Sequence, residues 1–393
     1  MWRKEIIRMS IWPRLRLGII ACFIASFIGI SWITAGDAAN KPRAKNTGAK
    51  FRIAYCETEG FANYAATFYH LVQGLAKLGW LKNVEGLPYT PGQKDTQIMW
   101  EWLAARDISP YLEFVADGFY TYNAQIDNRI AVRQNIITRL NRDKDIDLII
   151  AMGTWPGQDL AANTHQVPVT VFSTSNAVQS GIIDSIGDSG RDHVWAHIDP
   201  WRYRRQLEVF HDIFQFNTVG IVYEDTVMGR SVAAIEDVEA VAKERGFTVV
   251  RRYVDDRTRQ DDQELYLQQT LAAHQELAAE VDAMYLTLYS HRPPEMLPVL
   301  LEPFYDKRIP VFAQQWTTEV QYGALLSVAA MDFSGIGQFG ADAIARILMG
   351  EQPRSVPQVF ESTPHIVLNI HTAENIGWTV PVDIIFAADQ VYH

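Results

Sequence analysis

The chain has 393 residues, enough for two or three domains, and 48% of them are hydrophobic against 21% charged, which excludes a disordered protein. Lys and Arg number 35 against 46 Asp and Glu, a net charge of −11, and such a chain is poorly suited to bind nucleic acid. The two cysteines, Cys22 and Cys56, can form neither a multi-bridge framework nor a CxxC pair.

Residues 1–16 carry Arg3, Lys4, Arg8, Arg14 and Arg16 against the single acid Glu5. An apolar run follows from Leu17 to Ile33, then small residues at Ala35, Gly36, Ala38 and Ala39. Basic start, apolar middle and small-residue exit are the pattern of a secretory signal peptide over residues 1–38. A cut after Ala38 places Gly36 and Ala38 at the two positions where small residues are needed. The alternative is a retained membrane anchor, since the run is just long enough. Ile19-Ile20-Ala21-Cys22 resembles a lipobox, but Cys22 sits inside the apolar run instead of at its end. Loss of residues 1–38 leaves a net charge of −14 and Cys56 as the sole thiol, expected to be a buried small hydrophobe. Residues 39–50 have no apolar periodicity and read as a solvated tether.

From Phe51 strand and helix patterns alternate. FRIAY is a strand, and residues 63–80 form a helical stretch closing at Gly79; residues 111–116 are strand-like. Residues 126–141 align Ile126, Ile130, Val132, Ile136, Ile137 and Leu140 on one helical face. IDLIIAMG (146–153) is a continuous apolar run, as expected of a strand buried on both faces of a parallel sheet. VPVTVF (167–172) and HVWAHID (193–199) are further strands, and Asp199-Pro200 reads as the cap and first position of a helix reaching about Phe216. A second series then begins. TVGIVY (218–223), FTVVRRY (247–253), VDAMYLTLY (281–289), IPVFAQQ (309–315) and ALLSVAAM (324–331) are strands; residues 229–245, 260–279, 295–307 and 335–349 are helical. Strands separated by helices imply βαβ units and parallel sheets, and two such series suggest two lobes, with a (β/α)₈ barrel as the competing arrangement.

Four segments carry a family resemblance: AMGTWPGQDLAANTHQVPVTVFSTSNAVQSGII (151–183), VGIVYEDTVMGRS (219–231), GALLSVAAMDFSGIGQFGADAIARILMGEQP (323–353) and VLNIHTAENIGWTVPVDIIFAADQVY (367–392). In order and spacing they resemble the ABC-transporter substrate-binding proteins of the tryptophan/tyrosine-binding-like group. The resemblance runs from Phe51 to the end, with departures at HVWAHIDP, at Ala177 and in the loop ETEGFANY. It implies a type I periplasmic binding protein fold, in which two doubly wound lobes joined by three crossovers hold a ligand in the cleft between them. The lobes are then expected at about 50–199 plus 332–352 and 200–331 plus 353–393.

Ligands of open α/β sheets bind outside the carboxyl ends of the strands. There the sequence offers donors suited to a carboxylate in Thr154, Thr174 and Ser175, the amide of Asn176, acids suited to an ammonium in Glu59, Glu224 and Asp332, and aromatic faces in Phe61, Trp155, Tyr289 and Trp316. N-capping, interlobe packing and turn formation compete for each of these residues. Asp199 and Asp332 also fall at crossovers, where a hinge cap serves as well as a ligand contact. Gly335, Gly337 and Gly340 fit GxGxxG with Glu361 some way beyond, yet no second βαβ half follows, and close helix packing explains them better than a dinucleotide. His193 and His197 would stand about 13 Å apart on one strand face, too far to share a metal; His365 and His371 fare no better. There is no GxSxG nucleophile elbow, and the acids Asp255, Asp256, Asp261 and Asp262 read as a solvated loop and helix start. The expectation is a periplasmic, monomeric, non-enzymatic receptor without cofactor or metal. It would bind a small amino-acid-like solute with an apolar or aromatic side group and deliver it to an ABC permease in the inner membrane. A ligand sensor for a two-component system is the alternative, and an enzyme using the same cleft a third class.

Overall fold

The computed structural model describes residues 42–255, 262–287, 293–315, 317–328, 332–362 and 365–393. The expected signal peptide therefore lies outside the described residues, as do Asp256 and Asp261 of the acidic run.

Two sheets organise the chain. The first takes β1 (Phe51–Glu57), β2 (Leu112–Thr121), β3 (Leu148–Met152), β4 (Val169–Phe172) and β5 (Val194–Ala196), with helices α1 (Ala62–Lys77), α2 (Gln97–Ala104), α3 (Ile126–Arg142) and α4 (Thr154–Leu160) between them. Its order is β2-β1-β3-β4-β5 and every pair is parallel. The second sheet follows α5 (Arg202–Phe214) and contains β6 (Thr218–Glu224), β7 (Thr248–Val254), β8 (Ala283–Leu286), β9 (Val311–Ala313) and β10 (Leu326–Ser327). Helices α6 (Val227–Val232), α7 (Ile235–Arg245), α8 (Gln263–Ala278), α9 (Leu297–Tyr305) and α10 (Thr317–Gln321) connect these strands. The chain then returns to the first sheet as α11 (Phe333–Leu348) and ends in the second as β11 (Ile366–Asn369), α12 (Ile370–Asn375), α13 (Val382–Ala387) and β12 (Ala388–Tyr392). The order there is β12-β11-β10-β9-β8-β6-β7, parallel except for the antiparallel β10–β11 pair. The chain thus passes between the sheets three times.

Alternation along each central strand builds a core on both faces. Ile53 and Tyr55 of β1 point into one core, with Phe68 and Leu71 of α1 and Ile336 and Ile344 of α11. Ala54 and Cys56 point into the other, with Ile136 and Leu140 of α3 and Leu160 of α4. In the second sheet Ile221 and Tyr223 face α5 and α7, while Val222 faces α8 and α9. This double burial is why β3 reads LIIAM with all five residues buried.

Helices α1 and α11 approach so closely that only glycine fits. A Cβ on Gly337 would lie 2.6 Å from both the Cβ and the carbonyl oxygen of His70, and one on Gly340 would lie 2.7 Å from Cζ of Phe172. Gly335, Gly337 and Gly340 are therefore packing residues, as the lone GxGxxG suggests. Asp332 Oδ1 caps the same helix, accepting from the Gly335 N–H at 2.7 Å.

Several sequence expectations need correction. Asp199 does not cap α5: Trp201 holds that position, and the Asp199 carboxylate is taken by Arg205. Ile126 and Ile130 are 58% and 55% exposed, so the α3 stripe reaches the core only from Val132 onward. The helix expected over 229–245 breaks at Ala234, whose φ of 53° ends α6 before α7 begins. Residues 353–360 stay with the first sheet instead of joining the second lobe. Trp195 Nε1 donates to the Pro357 carbonyl at 2.8 Å, and Ile198 bridges Val359 in parallel. The tether is tied down at two points, with Lys45 on Asp147 and Lys50 on Asp107, each at 2.5 Å.

Candidate functional site

In each sheet the strand order reverses once, between β1 and β3 and between β6 and β8. A crevice opens at the carboxyl ends of the strands flanking such a switch point. The carboxyl ends of the two sheets face each other: Ser180, in the loop after β4, places its Oγ 3.5 Å from Oγ of Ser231 in α6.

In the first lobe the chain leaves β1 at Glu57, and the Thr58 N–H donates to the Met152 carbonyl at 3.3 Å, tying this turn to the end of β3. Glu59 and Phe61 follow, both half-buried. The Phe61 ring stands edge-on to Tyr64 at 5.2 Å. Gly153, at the end of β3 with φ 94°, leaves room for Tyr64 and Thr58; a Cβ there would lie 2.9 Å from Tyr64 Cζ and 2.8 Å from Thr58 Oγ1. Thr154 opens α4 directly beyond it. After β4, Ser173 adopts φ 54° and its Oγ lies 3.3 Å from Oγ1 of Thr67. Thr174, Ser175 and Asn176 come next, half-buried. The Asn176 Oδ1 accepts from the Gln179 N–H at 3.0 Å, so this oxygen shapes the turn.

Trp155 leans away from these groups. It packs on the core between the first sheet and α3, with the Arg129 guanidinium 4.9 Å from its ring centroid. Arg129 in turn grips the buried Asp159 through Nε at 2.8 Å and Nη2 at 2.9 Å. Asp332 caps α11 and faces His70, whose pKa burial lowers while the Asp332 charge opposes the shift.

In the second lobe Glu224 ends β6, and Thr226 caps α6 by accepting from the Gly229 N–H at 2.9 Å. Behind them lies a buried polar relay. Tyr285 donates to Gln206 Oε1 at 2.6 Å, Gln206 Nε2 to the Gln314 carbonyl at 3.2 Å, and Gln314 Nε2 to the Val232 carbonyl at 3.0 Å. Tyr289 and Trp316 lie outside the described residues.

Sequence reasoning misses Glu57. Its side chain is buried, with the Tyr55 hydroxyl donating to Oε2 at 2.9 Å. Burial pushes its pKa up to about 8, against the hydrogen bonds of Tyr55 and Thr96, with Asp95 and Glu59 adding to the rise. A carboxylate ending an apolar strand is the one signal of it in the sequence. Tyr64, Thr58 and Ser231 carry none, because only the fold brings them to the crevice.

His193 packs edge-on to His165 at 5.2 Å, and His197 lies against Phe339 and Phe360. Among the described residues no group of three or more His, Cys, Asp or Glu could hold a metal ion. A cavity of about 730 Å³ is lined by Asp225, Thr226, Arg252, Tyr253, Asp255 and Gln269 among others. It sits at the carboxyl ends of β6 and β7, against α8, beside the turn that follows Glu224.

Two doubly wound lobes joined by three crossovers, with strand ends facing across a crevice, define a type I periplasmic binding protein fold. Residues 115–392 match the family described as ABC transporter substrate binding protein, and the chain belongs to it. Its members are solute-binding proteins, not enzymes. The chain is 19% identical over 355 residues to a tyrosine-binding protein of Clostridioides difficile strain R20291, covering 90% of each. Among solved structures it resembles an ABC domain from Streptococcus pneumonia in complex with L-Trp, at TM-score 0.61 and 18% identity, covering 87% of this chain and all of that one. It also resembles the ligand-free, open form of a substrate-binding protein with adhesive properties from Clostridium difficile, at TM-score 0.60 and 20% identity, covering 87% of this chain and 99% of that one.

Proposed function

We propose that this protein is the extracytoplasmic receptor of an ABC importer, and that it binds an amino acid with an aromatic or large apolar side group and passes it to a membrane permease. The observation that carries this reading is the facing of two sets of strand ends in a chain of this family. Thr154, Thr174 and Ser175 supply hydroxyls for a carboxylate, with the Asn176 amide beside them. Glu59 and Glu224 offer negative charge to an ammonium from opposite lobes, and Phe61 offers a ring face; Asp332, Tyr289 and Trp316 complete the proposed set. The tyrosine-binding relative and the tryptophan-bound neighbour support this ligand class. Trp155, turned toward the core beneath Arg129, supports the loop that carries Thr154.

Calorimetric titration of the purified chain with L-tyrosine, L-tryptophan, glucose and arabinose tests the proposal. Binding of an aromatic amino acid is expected. Binding of a sugar and no amino acid overturns the ligand class. Phe61→Ala should weaken aromatic amino-acid binding tenfold or more, about 1.4 kcal/mol, and an unchanged affinity removes Phe61 from the site.

Export follows from the same reading. N-terminal sequencing of the periplasmic protein should start within a few residues of Ala39. A product that retains Leu17–Ile33 indicates the membrane-anchored form instead.

A further inference from the structure

Three stretches of chain join the lobes, and two of them run side by side before they part. The Ile198 N–H donates to the Gln358 carbonyl and the Phe360 N–H to the Ile198 carbonyl, each at 3.0 Å. The pairing ends at Asp199, whose Oδ2 accepts from the Ser362 N–H at 3.2 Å. Beyond this point one chain enters α5 and the other runs toward β11.

The Asp199 side chain is 5% exposed, and Arg205 of α5 closes on it, with Nη2 2.9 Å from Oδ1 and 2.7 Å from Oδ2. Nη1 of the same arginine lies 3.4 Å from Oε2 of Glu361 on the other crossover. Arg205 belongs to the second lobe's first helix, whereas Asp199 and Glu361 belong to chains that emerge hydrogen-bonded from the first lobe. The pair therefore spans the bend between the lobes, and its separation changes whenever the lobes rotate about these crossovers. Among the described residues, a buried carboxylate that loses its guanidinium here keeps the Ser362 N–H as its partner, which makes other rotations unfavourable.

We infer that Arg205 is a positioning residue: its bond to Asp199 latches the lobes in the arrangement that brings Ser180 to Ser231. Arg205 touches no ligand in this scheme, and it sets affinity by fixing how often the crevice is assembled. The consequence for affinity rests on the proposed binding function; the latch itself does not.

The test needs no ligand. In the chain that starts at Ala39, whose own Cys56 is fully buried, Ser180→Cys and Ser231→Cys place thiols where the two hydroxyls meet, and the rate of disulfide formation under mild oxidant reports how often the lobes adopt this arrangement. Arg205→Met should slow trapping roughly fivefold or more, and Arg205→Lys, which keeps the charge, should recover most of the rate. Far-ultraviolet dichroism checks that each variant is folded. If Arg205→Met does not fold, the near-isosteric Asp199→Asn takes its place with the same expected slowing. Trapping at the parent rate in either folded variant overturns the latch, whatever the protein binds.

Discussion

Gly337→Leu should abolish the folded first lobe, and Gly337→Ala should destabilise the protein by about 2 kcal/mol or more in denaturant unfolding. Two effects oppose each other in the alanine variant. Alanine is favoured over glycine within a helix by up to about 1 kcal/mol. Against this, its methyl would meet the His70 Cβ and carbonyl oxygen at 2.6 Å, and His70 lies inside a packed helix whose backbone cannot yield locally. The collision wins because relief requires α1 and α11 to move apart, opening contacts among Leu71, Ile336 and Ala341. Gly187→Ala is the control, since nothing lies within 4 Å of its added methyl. A Gly337→Ala protein as stable as the parent would mean that the two helices do not pack this closely.

The second large effect is a pH dependence set by Glu57. Its carboxyl is raised from an ordinary 4.5 to about 8, chiefly by burial. The folded state then holds a proton that the unfolded state releases, so this group removes stability as pH rises from 4.5 through 8. The loss is complete above pH 8 and amounts to roughly 3–5 kcal/mol. Glu57→Gln keeps the shape and cannot ionise, so it should match the parent near pH 4.5 and exceed its stability increasingly toward pH 9. His165 and His197 act in the opposite direction. Burial lowers both to about 4, so the stability they support in neutral form is lost as pH falls from 6.5 toward 4. Thermal unfolding followed from pH 4 to 9 should therefore show a maximum between these two flanks in the parent and a weaker alkaline decline in Glu57→Gln. Equal alkaline declines would show that Glu57 does not carry the effect.

Features that repeat along the chain are legible in the sequence itself. IDLIIAM announces a strand buried on both faces because six of its seven residues are apolar, and Gly79, Gly246 and Gly350 mark helix ends through the positive φ they adopt. The GxGxxG run belongs to packing because no second nucleotide-binding half follows it. Features that depend on partners far away in sequence are not legible in this way. Asp199 carries the residue type of a cap, and only the approach of Arg205 and Ser362 turns it into a latch. Ala234 adopts a left-handed conformation that no rule assigns to alanine. Ile126 and Ile130 follow helical periodicity, but both stand exposed in the first turns of α3, so periodicity outruns burial. At the candidate site the strand ends predict the residues of the turns, while side-chain direction separates Phe61 and Tyr64 from Trp155.

The return of the chain to the first lobe at Phe333 has a bearing on its biogenesis. Until α11 is made, Phe68 of α1 already meets Tyr55 and Trp100, but the stripe of His70, Leu71 and Gly74 lacks its partner helix, and the β5 edge lacks residues 353–360. A ribosome-bound or translocating chain ending before that point cannot close its first core, however complete its β1–β5 sequence. The first core is thereby completed only when the last sixth of the polypeptide emerges. Such a circuit of chain also makes neither lobe separable by truncation: a fragment that ends at β10 would expose the α1 face and behave as an aggregation-prone chain, not as half a receptor.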